Sequence, residues 1–386
     1  MSVTAAAGFR AAGVTAGLKA SGGRDVALVV NDGPSDVAAA VFTRNRIKAA
    51  PVLWSQQVVA GGRVKAVVLN SGGANACTGP DGFADTHRTA EHVAAVLGIG
   101  AGEVVVCSTG LIGERLPLDK VLAGAAQAAA GLRAYPDAAT EAADAIRTTD
   151  SVAKQAAVTH ADAWTVGGMA KGAGMLAPSL ATMLCVVTTD AVLDVATADA
   201  ALRQAVAVTF DRVDSDGATS TNDTVVLLAS GASGVTPEPG AFASVLTEVA
   251  RDLALQLVAD AEGATKEVTI DVVSAASEAD AVEVGRAIAR DNLVKTALFG
   301  SDPNWGRIIA AIGVTSAAFE PDGIDVGVNG VLVCRGGAAG EPRDSVDMTP
   351  RDVTITVDLH AGAHTATIWT NDLSHGYVHE NSAYSS

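Results

Sequence analysis

Large rings are scarce in this 386-residue chain: aromatic residues make up 4% of it, against 49% for all hydrophobic residues. A core short of aromatics has to be filled by Ala, Val, Leu and Ile, and the chain is long enough to bury a substantial one as one large or two medium domains. Cysteine is scarce as well. Cys77, Cys107, Cys185 and Cys334 never form a Cys-x-x-Cys pair, which argues against a disulfide scaffold, and they are expected to be reduced, buried thiols. Basic residues number 26 against 43 acidic ones, for a formal net charge of −17. A nucleic-acid partner is therefore not expected, because phosphate binding needs a basic footprint; the acidity serves solubility. No apolar run reaches the ~18 residues of a membrane span, and no basic segment leads into an apolar one at the start. No membrane partner is expected, and the protein is expected in the cytoplasm. Among the seven histidines, His360/His364 and His375/His379 have a spacing that ligates metal on a helix. The first pair flanks an Ala-Gly-Ala turn between alternating strands, and neither has a convincing third ligand, so no metal is expected.

What is present is a mixed pattern of short apolar runs and amphipathic stretches. Strands are expected at 26–30, 40–43, 64–69 and 103–107, with helices at 82–97, 118–132 and 136–148. Paired strands at 154–160 and 163–166 precede a glycine-rich loop. Beyond it the pattern gives strands at 183–189, 223–229 and 267–273, helices at 197–209, 239–261, 278–291 and 305–312, and a last set of strands to residue 369. This order lacks a strict βαβ rhythm and predicts helices layered outside stacked sheets. No internal repeat, low-complexity tract or long linker interrupts it.

The most informative segment is Lys171-Gly-Ala-Gly-Met-Leu-Ala-Pro-Ser-Leu-Ala-Thr-Met-Leu184. A glycine-rich, proline-stopped loop delivers Thr182 to the start of an apolar run. An isolated Ala-Thr before such a run reads as the beginning of a strand. If the Ala181–Thr182 bond is cut, however, the freed α-amine of Thr182 becomes a general base for its own hydroxyl. An α-amine titrates near pH ~8 and a lysine near ~10.4, so the new terminus is the better match to proton transfer at neutral pH.

The motif resembles the autoprocessing signature of the ornithine acetyltransferase family of arginine biosynthesis (ArgJ), and the resemblance runs nearly end to end. It includes Gly8-Phe-Arg-Ala-Ala-Gly-Val, Ala40-Val-Phe-Thr-Arg-Asn, Asn70-Ser-Gly, Asn75-Ala-Cys-Thr-Gly and Ser108-Thr-Gly-Leu-Ile-Gly. It continues through Thr148-Thr-Asp, Asp216-Gly, Thr219-Ser-Thr-Asn-Asp-Thr, Gly300-Ser-Asp-Pro-Asn-Trp-Gly-Arg and Glu380-Asn-Ser-Ala-Tyr. One departure is Gly73, where the family usually carries asparagine; it loosens a turn without touching the nucleophile. The resemblance implies an α/β/β/α sandwich of the N-terminal-nucleophile kind. It also implies self-cleavage into an α chain, 1–181, and a β chain, 182–386, and an assembly of two of each.

The resemblance carries specific roles. Thr182 is the nucleophile, and Thr109 and Gly110 hold the oxyanion positions. The residues themselves agree: a strand running into Ser108-Thr-Gly can present a hydroxyl and an unobstructed N–H. A phosphate-cradling loop is the rival, but no phosphate-loop glycine pattern accompanies it. Lys171, Thr148, Glu262, Asn381 and Ser386 match substrate-binding positions. Taken alone, Lys171 reads as a solvated loop charge, Thr148 and Glu262 as helix ends, and the polar tail at Ser386 as frayed. In Ser301-Asp-Pro-Asn-Trp-Gly-Arg307, Asp302 is expected near a helix N-cap and Trp305 in packing.

The implied activity moves acetyl from N-acetylornithine to glutamate through acetyl-Thr182, with no resident cofactor and with acetyl-CoA as a second donor in some relatives. Two alternatives are an amidase or aminopeptidase of the same fold, with water as acceptor, and a silent ligand-binding protein. An intact chain on a denaturing gel would favour the last; product analysis with and without glutamate separates the other two.

Overall fold

The computed structural model describes residues 2–177 and 183–383. The first elements are β1 (Phe9–Val14), β2 (Val26–Asn31), β3 (Val37–Phe42), α1 (Ala50–Val59), β4 (Ala66–Asn70), α2 (Gly79–Leu97) and β5 (Val104–Ser108). Next come α3 (Leu118–Ala130), α4 (Pro136–Ala145), β6 (Lys154–Thr159), β7 (Thr165–Lys171), β8 (Leu184–Thr189), α5 (Val195–Ala207), β9 (Thr224–Ala229) and α6 (Pro239–Ala259). The remainder is β10 (Glu267–Ala275), α7 (Glu278–Arg290), α8 (Asn292–Phe299), α9 (Trp305–Ile312), β11 (Asp325–Val328), β12 (Val331–Arg335), β13 (Ala338–Ala339), β14 (Asp352–Asp358), β15 (His364–Asn371) and α10 (His375–Ala383).

Two sheets stack face to face. One has the order β1-β2-β4-β5 and the other β3-β9-β8-β7-β6. Side chains alternate across each strand, and the alternation assigns every residue to a layer. From the second sheet, Val226, Leu228, Leu184 and Val186 point inward to meet Val29, Val67 and Val105 of the first. Their neighbours Val225, Leu227, Cys185 and Val187 point outward under α5 and α6. On the other side Leu28, Val68 and Val106 lie under α2 and α3. This is the expected α/β/β/α sandwich. With both faces covered, β2, β4, β8 and β9 read as unbroken apolar runs.

The third sheet, β13-β12-β11-β14-β10-β15, packs one face against α7, α8 and α9 through Ile270, Val272, Ile355 and Ile368. In β14 exposed and buried residues alternate up to its last position, so the sequence spells out a strand covered on one side.

Helix starts follow local chemistry. Asp194, Glu238, Ser277, Asp291 and Asn304 each accept a backbone N–H at the start of α5, α6, α7, α8 and α9, which satisfies otherwise orphaned donors. The cap of α9 is therefore Asn304, with Asp302 behind it accepting the Asn304 amide at 2.9 Å. Trp305 packs against the third sheet's core, as expected. Four elements were not anticipated from the sequence: β1, α1, α8 and α10. Cys107, Cys185 and Cys334 are buried and free, but Cys77 is exposed. It sits in a left-handed turn at φ 57°, outside any strand that would bury it.

Candidate active site

β5 ends at Ser108, and the chain turns sharply into Thr109 and Gly110. Gly110 has φ +130°, and a Cβ there would stand 2.5 Å from the Gly73 nitrogen. Only glycine tolerates both conditions. The turn is tied down on two sides: the Thr109 N–H donates to the Asn70 carbonyl at 3.0 Å, and the Gly73 N–H donates to the Thr109 carbonyl at 3.0 Å. From beneath, the buried Asn222 amide donates to the carbonyls of Ala74 and Ser108 at 2.6 and 2.8 Å. With its N–H used, Thr109 can offer only its hydroxyl to a ligand, and among the described residues the Gly110 N–H has no acceptor.

Lys171 is the last residue of β7 and is 1% exposed, so it is not the solvated loop charge that its surroundings in the sequence suggest. Its ammonium donates to the Thr148 hydroxyl at 2.7 Å and to the Thr109 hydroxyl oxygen at 3.3 Å. Accepting from Lys171 leaves the Thr109 O–H free to donate elsewhere. Burial lowers the Lys171 pKa, while Asp150, 3.9 Å away, opposes that shift. Thr148 lies past the end of α4, in the loop that brings Asp150 inward.

Asp150 is fully buried between two ammonium groups. Lys154 bonds it at 2.7 Å and also reaches Asp260 at 2.5 Å, and the Gly172 N–H donates to it at 2.6 Å. Burial pushes the Asp150 carboxyl up, but Lys171 and Lys154 outweigh it and hold the group well below the usual carboxylate range. Such a charge cluster fixes the end of β7 rigidly, since each member would be left unpaired if another moved.

Glu262 follows α6 and is held by its backbone, whose N–H donates to the Ala173 carbonyl at 2.9 Å. A Cβ on Gly174 would stand 2.6 Å from both carboxylate oxygens, so glycine there is what lets the carboxylate in. Asn381, on α10, donates to Glu262 Oε2 at 2.9 Å. The helix is seated by the Ser374 hydroxyl, which donates to the Gly263 carbonyl. Thr109, Gly110, Thr148, Lys171, Glu262 and Asn381 thus line one cavity of about 50 Å³, together with Thr149, Gly174 and Met175.

Ala181, Thr182 and Ser386 lie outside the described residues. Their neighbours bound where the chain enters. The Met183 N–H donates to Asp223 at 3.1 Å, and Met183 accepts from the Thr224 N–H at 3.1 Å. One residue on, Leu184 pairs directly with Lys171. Asp223 is fully buried; desolvation raises its pKa well above the usual carboxylate range, and among the described residues one of its oxygens has no hydrogen-bond partner. Asp150, Lys154, Asp260 and Asp223 carry no role in the sequence reading. Asp150 and Asp223 do fall inside the motifs Thr148-Thr-Asp and Thr219-Ser-Thr-Asn-Asp-Thr, whereas Lys154 and Asp260 lie in no motif. Among the described residues no three His, Cys, Asp or Glu side chains gather as a metal site. His375 and His379 do share α10. A larger open groove of about 570 Å³ on α7 shares no residue with this cleft.

Stacked sheets between helical layers, with a cleft of hydroxyl, amide and ammonium donors at the strand ends, define a layered α/β/β/α protein with a built polar site. The ArgJ family model matches residues 10–386. The arginine biosynthesis bifunctional protein ArgJ of Thermobifida fusca (strain YX) is 65% identical over 385 residues, covering 100% of both chains. That of Streptomyces coelicolor is 64% identical over 386 residues, again covering 100% of both. The ornithine acetyltransferase of Mycobacterium tuberculosis, solved with ornithine, is 66% identical over 46% of this chain and 95% of its own, with a TM-score of 0.46. The chain belongs to the ArgJ family.

Proposed function

We propose that this protein is a glutamate N-acetyltransferase of arginine biosynthesis, taking acetyl from N2-acetylornithine and passing it to glutamate. The observation that carries the reading is the convergence of the Thr109 hydroxyl, the Gly110 N–H and Lys171 at the strand end from which the chain runs back through Met183 to Thr182. The Thr182 hydroxyl first attacks the Ala181 carbonyl. The peptide bond gives way to an ester, and water hydrolyses that ester to leave a carboxylate on 181 and a free amine on 182. In each turnover the hydroxyl then attacks the acetyl carbonyl of acetylornithine while the α-amine of Thr182 takes its proton. The C–N bond breaks, the proton passes to the departing ornithine nitrogen, and acetyl remains as an ester on Thr182. Attack by the amine of glutamate breaks that ester and returns the proton to the hydroxyl. The Thr109 hydroxyl and the Gly110 N–H stabilise the oxyanion in both half-reactions. Glu262, Lys171, Thr148, Asn381 and Ser386 bind the amino-acid substrates.

Acetyl-CoA serves as a second donor in this proposal, supported by the word bifunctional in the relatives' names. We further propose a cytoplasmic assembly of two 1–181 and two 182–386 chains. The two pieces would stay together because β7 and β8, on either side of the cut, pair along six residues of each strand. The test is Thr182→Ala. Wild type should run as two fragments, the larger beginning Thr-Met-Leu, and should transfer acetyl to glutamate. The variant should run as one chain without transferase activity. A cut elsewhere, an active variant, or product that forms equally well without glutamate overturns the reading.

A further inference from the structure

Behind Glu262 lies a second cavity, about 140 Å³ in volume, with Asp216, Lys295, Arg290, Asp372 and Tyr377 on its walls. Glu262 lines both this cavity and the cleft at Thr109, so the two spaces meet at one carboxylate. A cavity of that size can hold several waters. Beyond their Cα atoms, ornithine and glutamate carry four and five non-hydrogen atoms.

The charges inside are unusual in being unsettled. Arg290 is already engaged, pairing with Asp214 at 2.7 Å. Asp372 is satisfied by the Thr265 and Lys266 N–H groups, each at 2.8 Å, and by the Thr265 hydroxyl. Lys295 and Asp216 are different. Lys295 is 4% exposed and donates to the Thr370 hydroxyl and the Asn371 carbonyl, which uses two of its three donors. Asp216 accepts backbone N–H groups, that of Ala218 at 3.2 Å and those of Leu176 and Met175, but among the described residues no ammonium or guanidinium bonds it. Neither is in any ion pair found among the described residues. An ammonium and a carboxylate that border one small cavity, attract each other across it and yet form no salt bridge suit a site completed by a ligand.

We propose that this cavity is the side-chain subsite of the acetyl exchange, Asp216 receiving the ammonium end of ornithine and Lys295 the carboxylate end of glutamate. The assignment rests on the acetyltransferase reading above and explains a demand that reading makes. A two-step transfer through one nucleophile must seat, in turn, two amino acids whose side chains end in opposite charges. A pocket with a single sign of charge would reject one of them; a pocket bearing one spare charge of each sign accepts both. Burial raises the Asp216 carboxyl and brings the Lys295 ammonium down to about 8, and each group's charge opposes the other's shift.

The two halves can be read separately by isotope exchange. Labelled ornithine passes into N-acetylornithine, and labelled glutamate into N-acetylglutamate, each exchange using one amino acid alone. Asp216→Asn should lower kcat/KM for ornithine exchange roughly ten- to hundredfold, the range for a lost charge-assisted hydrogen bond, and leave glutamate exchange within about threefold. Lys295→Gln should do the reverse. Because Lys295 also holds the β15 end, a substrate series keeps the test open if that variant does not fold. Unmodified enzyme should prefer N-acetylornithine over uncharged N-acetylnorvaline by roughly tenfold or more, and Asp216→Asn should erase that preference. Equal losses in both exchanges, or a preference unchanged in Asp216→Asn, overturn the subsite. An unmodified enzyme that exchanges neither amino acid overturns the acetyltransferase reading itself, and this subsite with it.

Discussion

The stacked pair of sheets and the third sheet are built from similar residues under different rules. In the sandwich the central strands are apolar on both sides, because one side faces the partner sheet and the other faces helices. In the third sheet buried and less buried residues alternate along β11, β14 and most of β10, and Asp271, Thr354 and Thr356 point away from the core. A strand covered on two sides has no tolerant face, whereas one covered on one side has a tolerant face along its whole length. The cleft lies on the seam between them. Thr109 and Lys171 come from the sandwich's strand ends, while Glu262 and Asn381 come from the segments that lead into and out of the third sheet. The sandwich carries Thr109 and Gly110, assigned to the acetyl carbonyl, and also Lys171, while the segments flanking the third sheet carry Glu262 and Asn381, assigned to the amino acid.

The comparison breaks most easily at the charge cluster that anchors β7. Lys154→Met should destabilise the protein by about 3–5 kcal/mol, the cost of stranding a buried partner charge. Denaturant unfolding at neutral pH would show it. The sign with pH follows from Asp150, whose folded pKa is depressed. Its contribution is present above the carboxylate range of the unfolded chain and is lost as pH falls through the lower folded value. The gap between wild type and variant should therefore shrink on acidification below about pH 4. Next in size, Leu228→Ala between the stacked sheets should cost about 2–5 kcal/mol, read as a shift in the denaturant midpoint at unchanged slope. Thr109→Ala tests the seam. Turnover should fall about 10²–10³-fold, with a much smaller change in KM and little change in thermal midpoint. A variant with an unchanged turnover number would remove Thr109 from the site.

A smaller effect belongs to the permissive side. Lys295, with Asp216, Asp372 and Asp214 as its acidic neighbours and a pKa near 8, is charged below that pH and neutral above it. The ratio of glutamate to ornithine exchange should fall roughly tenfold between pH 7 and 9. Taking the ratio cancels any titration of the nucleophile that both exchanges share. The smallest effect is expected from Thr356→Ala on the open face of β14, below about 1 kcal/mol. A loss as large as that of Leu228→Ala would mean that a further layer covers this face, and the contrast between the sheets would disappear.

Much of the layering was legible from local pattern. Strands at 26–30 and 223–229 and the helix at 239–261 end within two residues of β2, β9 and α6, because apolar periodicity and caps act over short range. The elements that escaped notice have weak local signals. β1 carries Gly13 inside the strand, α1 lacks a side-chain cap, and α8 is eight residues set directly after α7, sharing Asp291 as the boundary. α10 has no buried residue; its place comes from Ser374, Tyr377 and Asn381 docking on the loop at Gly263, a contact more than a hundred residues distant in the chain. The candidate site divides similarly. Gly110 and the glycines near Lys171 announced turns, whereas nothing local said that Lys171 would be buried against Thr109 and Thr148.

Order along the chain, and with it the acidity, the Ala- and Val-built core and the loop-to-strand setting of Thr182, is a property of neighbouring residues and can be read from them directly. Charge pairing is not. Whether Asp150 meets Lys154 and Lys171, whether Glu262 meets Asn381, and whether Asp216 and Lys295 border one cavity without a salt bridge all depend on the register of three sheets and on how helices cross them. Those contacts join residues up to about 120 positions apart, through side chains whose partners are set by the packed backbone, and the free energy of a buried charge is decided by that partner and not by its neighbours in sequence.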